Sequence, residues 1–320
     1  MSQVRLDSAQ GLFESLRGSD MAVRMATLKA IRNRPDLALA FGQYQGMDVV
    51  DELVAQSLSR HGYSYWMILV SALGAFDDPR VVLQYVKILA NWDRAEVMSL
   101  VVARLSWEPV TSLSKSVRGF LQDDAHPRRV WAAARLMRAH PELTPPERVR
   151  VACADPDAEE AEKVPVDEMH LPAWRRELAG SFGPVARLWL EDALPGKAAT
   201  IASLAGGLSD EDEAWLISIL VRHVPLEAIP IVRKALEGGR RSAKLEALRC
   251  VAVIEGWPAL FKEPVNAAAA SEDEEIRIAA VRAGATRLDW RANLGQSDAR
   301  LVAEAAEGLA RAEGVGAMAD

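Results

Sequence analysis

The chain has 320 residues, half of them hydrophobic and about a quarter charged, with a net charge of −7. That composition excludes a disordered or collagen-like chain and fits a globular one with a sizeable core. An acidic balance also argues against a general phosphate-backbone binder, which needs clustered cations.

The charge is unevenly spread: residues 1–150 carry a net +3 and residues 151–320 a net −10. No run of about 18 uncharged apolar residues occurs, so no transmembrane helix is expected. The N-terminal M-S-Q-V-R-L-D-S-A-Q lacks the apolar stretch of a signal peptide, and a cytoplasmic location is the expectation. Cys153 and Cys250 lie in apolar contexts and read as buried free thiols. Thirty of the 38 basic residues are arginine, a bias that codon usage accounts for as well as bidentate pairing does.

In chain order, residues 20–34 read D-M-A-V-R-M-A-T-L-K-A-I-R-N-R, an acidic cap and then a small-residue helix. Arg34-Pro35 ends it, and Gly42, Gly46, Gly62 and Gly74 punctuate the next segment. Asp78 opens a second unit, D-P-R-V-V-L-Q-Y-V-K-I-L. After His126-Pro127, the residues Val130, Ala133, Ala134 and Met137 take one face of a helix over 128–138. His140-Pro141, Pro145-Pro146 and Asp155-Pro156 are further breaks.

Residues 155–172 are acidic, proline-bearing and poor in large apolar residues, which predicts an exposed loop between two halves, with a partner-binding insertion as the functional alternative. Trp174-Arg175-Arg176 come directly after it. Leu245, Leu248, Val251, Ala252 and Ile254 form a broader apolar surface, and Gly256-Trp257-Pro258 breaks it. Residues 273–287, D-E-E-I-R-I-A-A-V-R-A-G-A-T-R, match 20–34 in register: Asp20 with Asp273, Arg24 with Arg277, Ala30 with Ala283. Asp298 opens a looser copy, and the last residues are expected to fray.

This internal repetition predicts an all-α solenoid of roughly six to eight helical hairpins, about 30–45 residues apart. The D-x-x-(V/I)-R-x-A units resemble HEAT repeats, in particular the bacterial HEAT-like repeats of the phycobilisome-lyase type. The resemblance is clear at 20–34 and 273–287, fair at 78–89, 124–138 and 298–309, and weak across 41–66 and 174–230. It implies one right-handed solenoid over 1–320, with the acidic loop between an N-terminal and a C-terminal half. It further implies that Asp20, Arg24, Asp273 and Arg277 are structural, as helix caps and Arg–carboxylate contacts between repeats. Such folds serve scaffolds, lyases, hydroxylases and DNA glycosylases alike, so the resemblance does not fix an activity.

Chemistry-bearing motifs are sparse. His61, His126, His140, His170 and His223 show no i, i+4 pairing and no H-E-x-x-H, which counts against iron-binding His–Glu pairs of the hydroxylase kind. His126 and His140 precede prolines and read as helix-boundary residues; His170 reads as part of the solvated acidic loop. Gly196-Lys197 fails as a phosphate loop, since position 191 is not Gly and position 198 is Ala; a loop and a helix start suffice. Ser209 to Glu213, S-D-E-D-E, suits a helix N-terminus better than a calcium loop.

Nine tryptophans are the least routine feature of the composition. Most are expected between hairpins, but those beside arginines are candidate anchors for a protein partner: Trp174, Arg175 and Arg176, and Arg128, Arg129 and Trp131. The expected function is a non-enzymatic protein-interaction scaffold that needs no cofactor. The alternative is a HEAT-like enzyme or DNA-binding protein of the lyase or alkylpurine-glycosylase type, on dispersed Arg doublets at 128–129, 175–176 and 240–241.

Overall fold

A computed structural model describes residues 7–59, 61–156, 164–285 and Ala303. The described residues form helices joined by short turns; the one β-type pairing among them is an isolated bridge between Tyr44 and Met47. The chain divides into two compact units, 1–161 and 162–320, and the division falls inside the acidic segment.

Unit 1 contains α1 (Ala9–Arg17), α2 (Met21–Asn33), α3 (Pro35–Ala40), α4 (Val49–Ser57), α5 (Tyr63–Leu73), α6 (Pro79–Asn91), α7 (Ala95–Leu105), α8 (Val110–Val117), α9 (Pro127–Met137) and α10 (Pro145–Ala154). Neighbours pack on neighbours: α1 on α2, α4 on α5, α6 on α7 and α9 on α10. Contacts also skip along the chain, with α2 on α5, α4 on α6 and α7 on α9. The helix α5, Y-S-Y-W-M-I-L-V-S-A-L, is apolar nearly all round, as a helix flanked on several sides must be. Leu69, Val70, Phe76, Tyr85 and Val101 fill the core beside it.

Unit 2 contains α11 (Leu171–Ala179), α12 (Gly183–Ala202), α13 (Asp210–His223), α14 (Pro225–Gly238), α15 (Arg241–Val253), α16 (Trp257–Leu260), α17 (Lys262–Ala269) and α18 (Glu274–Arg282). Here α13 packs on α14 and α15, α15 on α18, and α14 on α17. Trp174, Leu190, Leu216, Leu248, Phe261 and Val281 are buried in it.

The repeated acidic caps act as the sequence indicates. Asp20 accepts from the backbone N–H of Ala22 and Val23, and Asp273 from those of Glu275 and Ile276, at 2.9–3.3 Å. Asp78 caps α6 through the N–H of Arg80, and Ser209 caps α13 ahead of four acidic residues in its first turn.

The repeat arginines behave differently from the expectation. Arg24 reaches the hydroxyl of Tyr65 at 2.8 Å and Gln56 at 3.3 Å, and Arg277 the carbonyls of Ser271 and Glu272. Neither forms an ion pair among the described residues. Of the repeat positions, Asp273 does make a helix-to-helix Arg–carboxylate contact, with Arg241 at 2.6 Å; others come from outside the repeat positions, such as Arg187 to Asp212 at 2.7 Å and Arg240 to Glu213 at 3.0 Å.

Two further expectations need correction. Residues 191–200 are not a loop before a helix start. They belong to α12, which kinks at Lys197 (φ −137°) just after Pro195, a residue without the N–H that the helix ladder needs. The ends of the acidic segment are not solvated either: Asp155, Val166 and His170 are buried, and His170 Nδ1 lies 2.6 Å from Asp167. The looser repeat opened by Asp298 and the expected fraying lie outside the described residues.

Candidate functional site: an aromatic pocket in unit 1

The α4–α5 connection begins where α4 runs out of internal donors. The last carbonyls of a helix have no intrahelical partner. Here His61 Nε2 donates to the carbonyl of Gln56 at 3.0 Å, and Trp66 Nε1 to that of Ser57 at 3.1 Å. Since a carbonyl only accepts, His61 carries a proton on Nε2.

The second of these bonds fixes the indole of Trp66 against the end of α4. Trp92 closes α6 in an extended conformation (φ −121°, ψ 150°). Its ring stacks on that of Trp66, with centroids 4.4 Å apart and planes 26° from parallel. Tyr63 stands 6.4 Å from Trp92, and the guanidinium of Arg94 lies 4.7 Å over the Tyr63 ring.

Between these groups and α6 lies a pocket of about 550 Å³, a size that suits a small molecule or a few side chains. Ile88 supplies apolar floor and Leu58, 66 % exposed, an apolar rim. Gln84, only 3 % exposed, donates its amide Nε2 to Ser57 Oγ at 2.9 Å, while its Oε1 is buried with no hydrogen-bond partner. Ser57 Oγ itself donates to the carbonyl of Val54, which fixes the amide's orientation.

No carboxylate lines the pocket, but Lys87 and Arg94 do. Neither has an ion-pair partner among the described residues, whereas Arg17, Arg80, Arg104, Arg118 and Arg129 of the same unit each hold a carboxylate. The pocket is therefore locally positive in a chain that is negative overall.

Unit 2 has a larger cleft, about 910 Å³, beside Gly206, Gly207, Arg233, Lys234 and Arg240. Its charges are largely engaged internally. Arg240 binds Glu213 and the carbonyl of Leu208, and Arg233 lies over the Phe261 ring with Glu237 at 3.9 Å. The smaller pocket, whose cations have no carboxylate partner among the described residues and whose Gln84 Oε1 accepts no hydrogen bond, is the stronger site.

The arginine–tryptophan candidates divide between these settings. Arg128 donates to the backbone carbonyl of Asp93 at 3.1 Å, and the backbone N–H of Arg129 to Asp93 Oδ1 at 3.2 Å. The doublet thus holds the turn that carries Trp92 and Arg94, and Arg129 is itself buried against Asp123 at 2.5 Å. Trp131 is half-buried on the same helix.

In unit 2 Trp174 is 1 % exposed, which leaves no ring surface for a partner. Arg175 donates to the carbonyls of Ser203 and Leu204 at 2.7 and 3.1 Å, satisfying backbone groups at the end of α12. Arg176 is exposed on α11. Both groups of candidates thus include residues that brace the fold.

Sequence reasoning missed Tyr63, Gln84, Lys87, Trp92 and Arg94 as one site. The available signal was the pair of aromatic clusters Y-S-Y-W (63–66) and W-D-R (92–94). Among the described residues, no group of three or more His, Cys, Asp or Glu side chains gathers as metal ligands would, and no helix is long and apolar enough to cross a membrane. The chain matches no known family model and no curated protein.

Proposed function

We propose that this chain is a protein-interaction module built of stacked helical hairpins in the manner of HEAT-like solenoids, and that a partner docks in the aromatic pocket of unit 1. The pattern of helices meeting both the next helix and a later one supports the stacked-hairpin reading. One observation carries the docking reading: two cations without carboxylates, Lys87 and Arg94, flank stacked aromatic rings and an exposed apolar rim. Aromatic and arginine side chains in a pocket are the usual anchors of protein interfaces.

The lining favours binding over bond-making. His61 commits Nε2 to the carbonyl of Gln56, and the hydroxyls of Ser57 and Ser59 donate to the carbonyls of Val54 and Ala55. The imidazole and the two serine hydroxyls are thus turned to the backbone and not toward one another as a nucleophile and its base would be.

Selection from a random-peptide display library on the purified full chain tests this reading. Enriched peptides should bind the wild-type chain and lose binding to K87E and R94E. A library with no enrichment, or peptides indifferent to both substitutions, would overturn it.

A further inference from the structure

Resting on the docking reading above, we infer that the pocket receives a tryptophan side chain followed by an acidic residue in a partner protein. The buried acceptor of the pocket and its two cations without a carboxylate partner define the guest. Gln84 Oε1 is a buried acceptor with nothing to accept from, so a guest that brings an N–H is favoured there.

Trp66, Trp92, Tyr63 and Ile88 line the pocket beside its polar residues, and they favour a guest with an apolar, planar face. An indole meets both demands: it has one N–H, no acceptor that would itself need a partner, and a ring that packs on aromatic faces. Asparagine and glutamine side chains bring an N–H too, but they lack the ring that packs on the aromatic faces.

The rim sets the charge. Lys87 and Arg94 have no carboxylate partner among the described residues, and residues 1–150 are net positive. An aspartate or glutamate beside the tryptophan supplies the missing anion. A cationic neighbour is disfavoured by the same two side chains.

Oε1 lies beneath the surface, so the indole reaches it only when the pocket wall yields.

Calorimetric titration of the full chain with the peptide acetyl-AAWEEAA-amide tests the inference. Three altered peptides accompany it: one with 1-methyltryptophan, which lacks the N–H, one with phenylalanine, and one with lysines in place of the glutamates. The parent peptide should bind. Removing the N–H should weaken it roughly tenfold, the usual contribution of a hydrogen bond to a buried group. The phenylalanine peptide should weaken at least as much, and the lysine peptide should not bind measurably.

Q84M keeps the side chain's length and removes the acceptor, so it should bind the tryptophan and 1-methyltryptophan peptides equally. Because the methyl group is placed on the ligand, that arm needs no altered protein to fold. Equal binding of the two peptides to the wild-type chain would overturn the inference while leaving the docking reading intact. No binding by any of the four would also overturn it, and the display selection then judges the docking reading separately.

Discussion

Asp93, in the turn between α6 and α7, accepts a hydrogen bond from the backbone N–H of Arg129 at the start of α9. The N-cap residue of α9, His126, makes no side-chain capping bond, so the cap comes from another hairpin. The same carboxylate lies between Trp92 and Arg94, and the cap therefore also fixes one wall of the pocket. D93A should lower unfolding free energy by about 1 kcal/mol, the usual cost of a lost cap. Urea titration measures it, and D93N should retain most of the stability.

Unit 2 uses the device again. Asp210, the first residue of α13, accepts from the N–H groups of Ser242 and Ala243 at 2.8 and 2.9 Å, at the start of α15. Burial works against its charged form, but the two backbone donors outweigh it and hold the carboxyl below its ordinary value. D210A should cost about 1–2 kcal/mol, because two orphan donors at the start of α15 lose their acceptor. Hydrogen exchange should quicken at Ser242 and Ala243 before it does so elsewhere in α15.

Acid sensitivity should centre on Glu147. Its carboxylate receives both Nε and Nη2 of Arg118 at 2.6 Å, along with the backbone N–H and hydroxyl of Thr144. The Arg118 bond, the largest influence, brings its pKa from 4.5 down to about 2. A carboxyl depressed in the folded state stabilises it above the unfolded pKa, and that contribution is lost as pH falls through the folded one. Its share of stability is complete above about pH 4.5 and disappears toward about pH 2. E147Q should be less stable at about pH 7 and should lose less stability between about pH 5 and pH 2. R118A should move the acid midpoint upward. Thermal unfolding monitored by circular dichroism over that range separates these outcomes.

Much of the helical framework was legible because its signals are local. Asp20, Asp78 and Asp273 each sit one residue before a helix and cap it, and Pro127 opens α9. The tertiary placements were not legible. Nothing local in the sequence tells Arg24, which turns to Tyr65, from Arg241, which reaches across to Asp273. Similarly, Trp66 and Trp174 are both buried, yet Trp66 meets a second indole, because α6 ends where Trp92 can fold back. The pocket is a product of where two helices stop, and sequence periodicity does not report that placement.

Gly74 gives a test of the core beside the pocket. Its φ of −65° suits any residue, but a Cβ there would collide with the hydroxyl of Tyr85, which donates to the carbonyl of Val70 at 2.7 Å. G74A should destabilise by about 1–3 kcal/mol through overpacking. Y85F removes the colliding oxygen, so G74A/Y85F should lose less than the two single variants added together. A double-mutant cycle by urea denaturation measures the difference.

The most direct measurement is nitrogen–proton correlation spectroscopy of the tryptophan indoles while the full chain is titrated with acetyl-AAWEEAA-amide. The indole resonances of Trp66 and Trp92, together with the side-chain amide of Gln84, should shift, while those of Trp174 and Trp215 stay in place. Shifts confined to the tryptophans of unit 2, or no shift at saturating peptide, would contradict the assignment of the unit 1 pocket as the docking site.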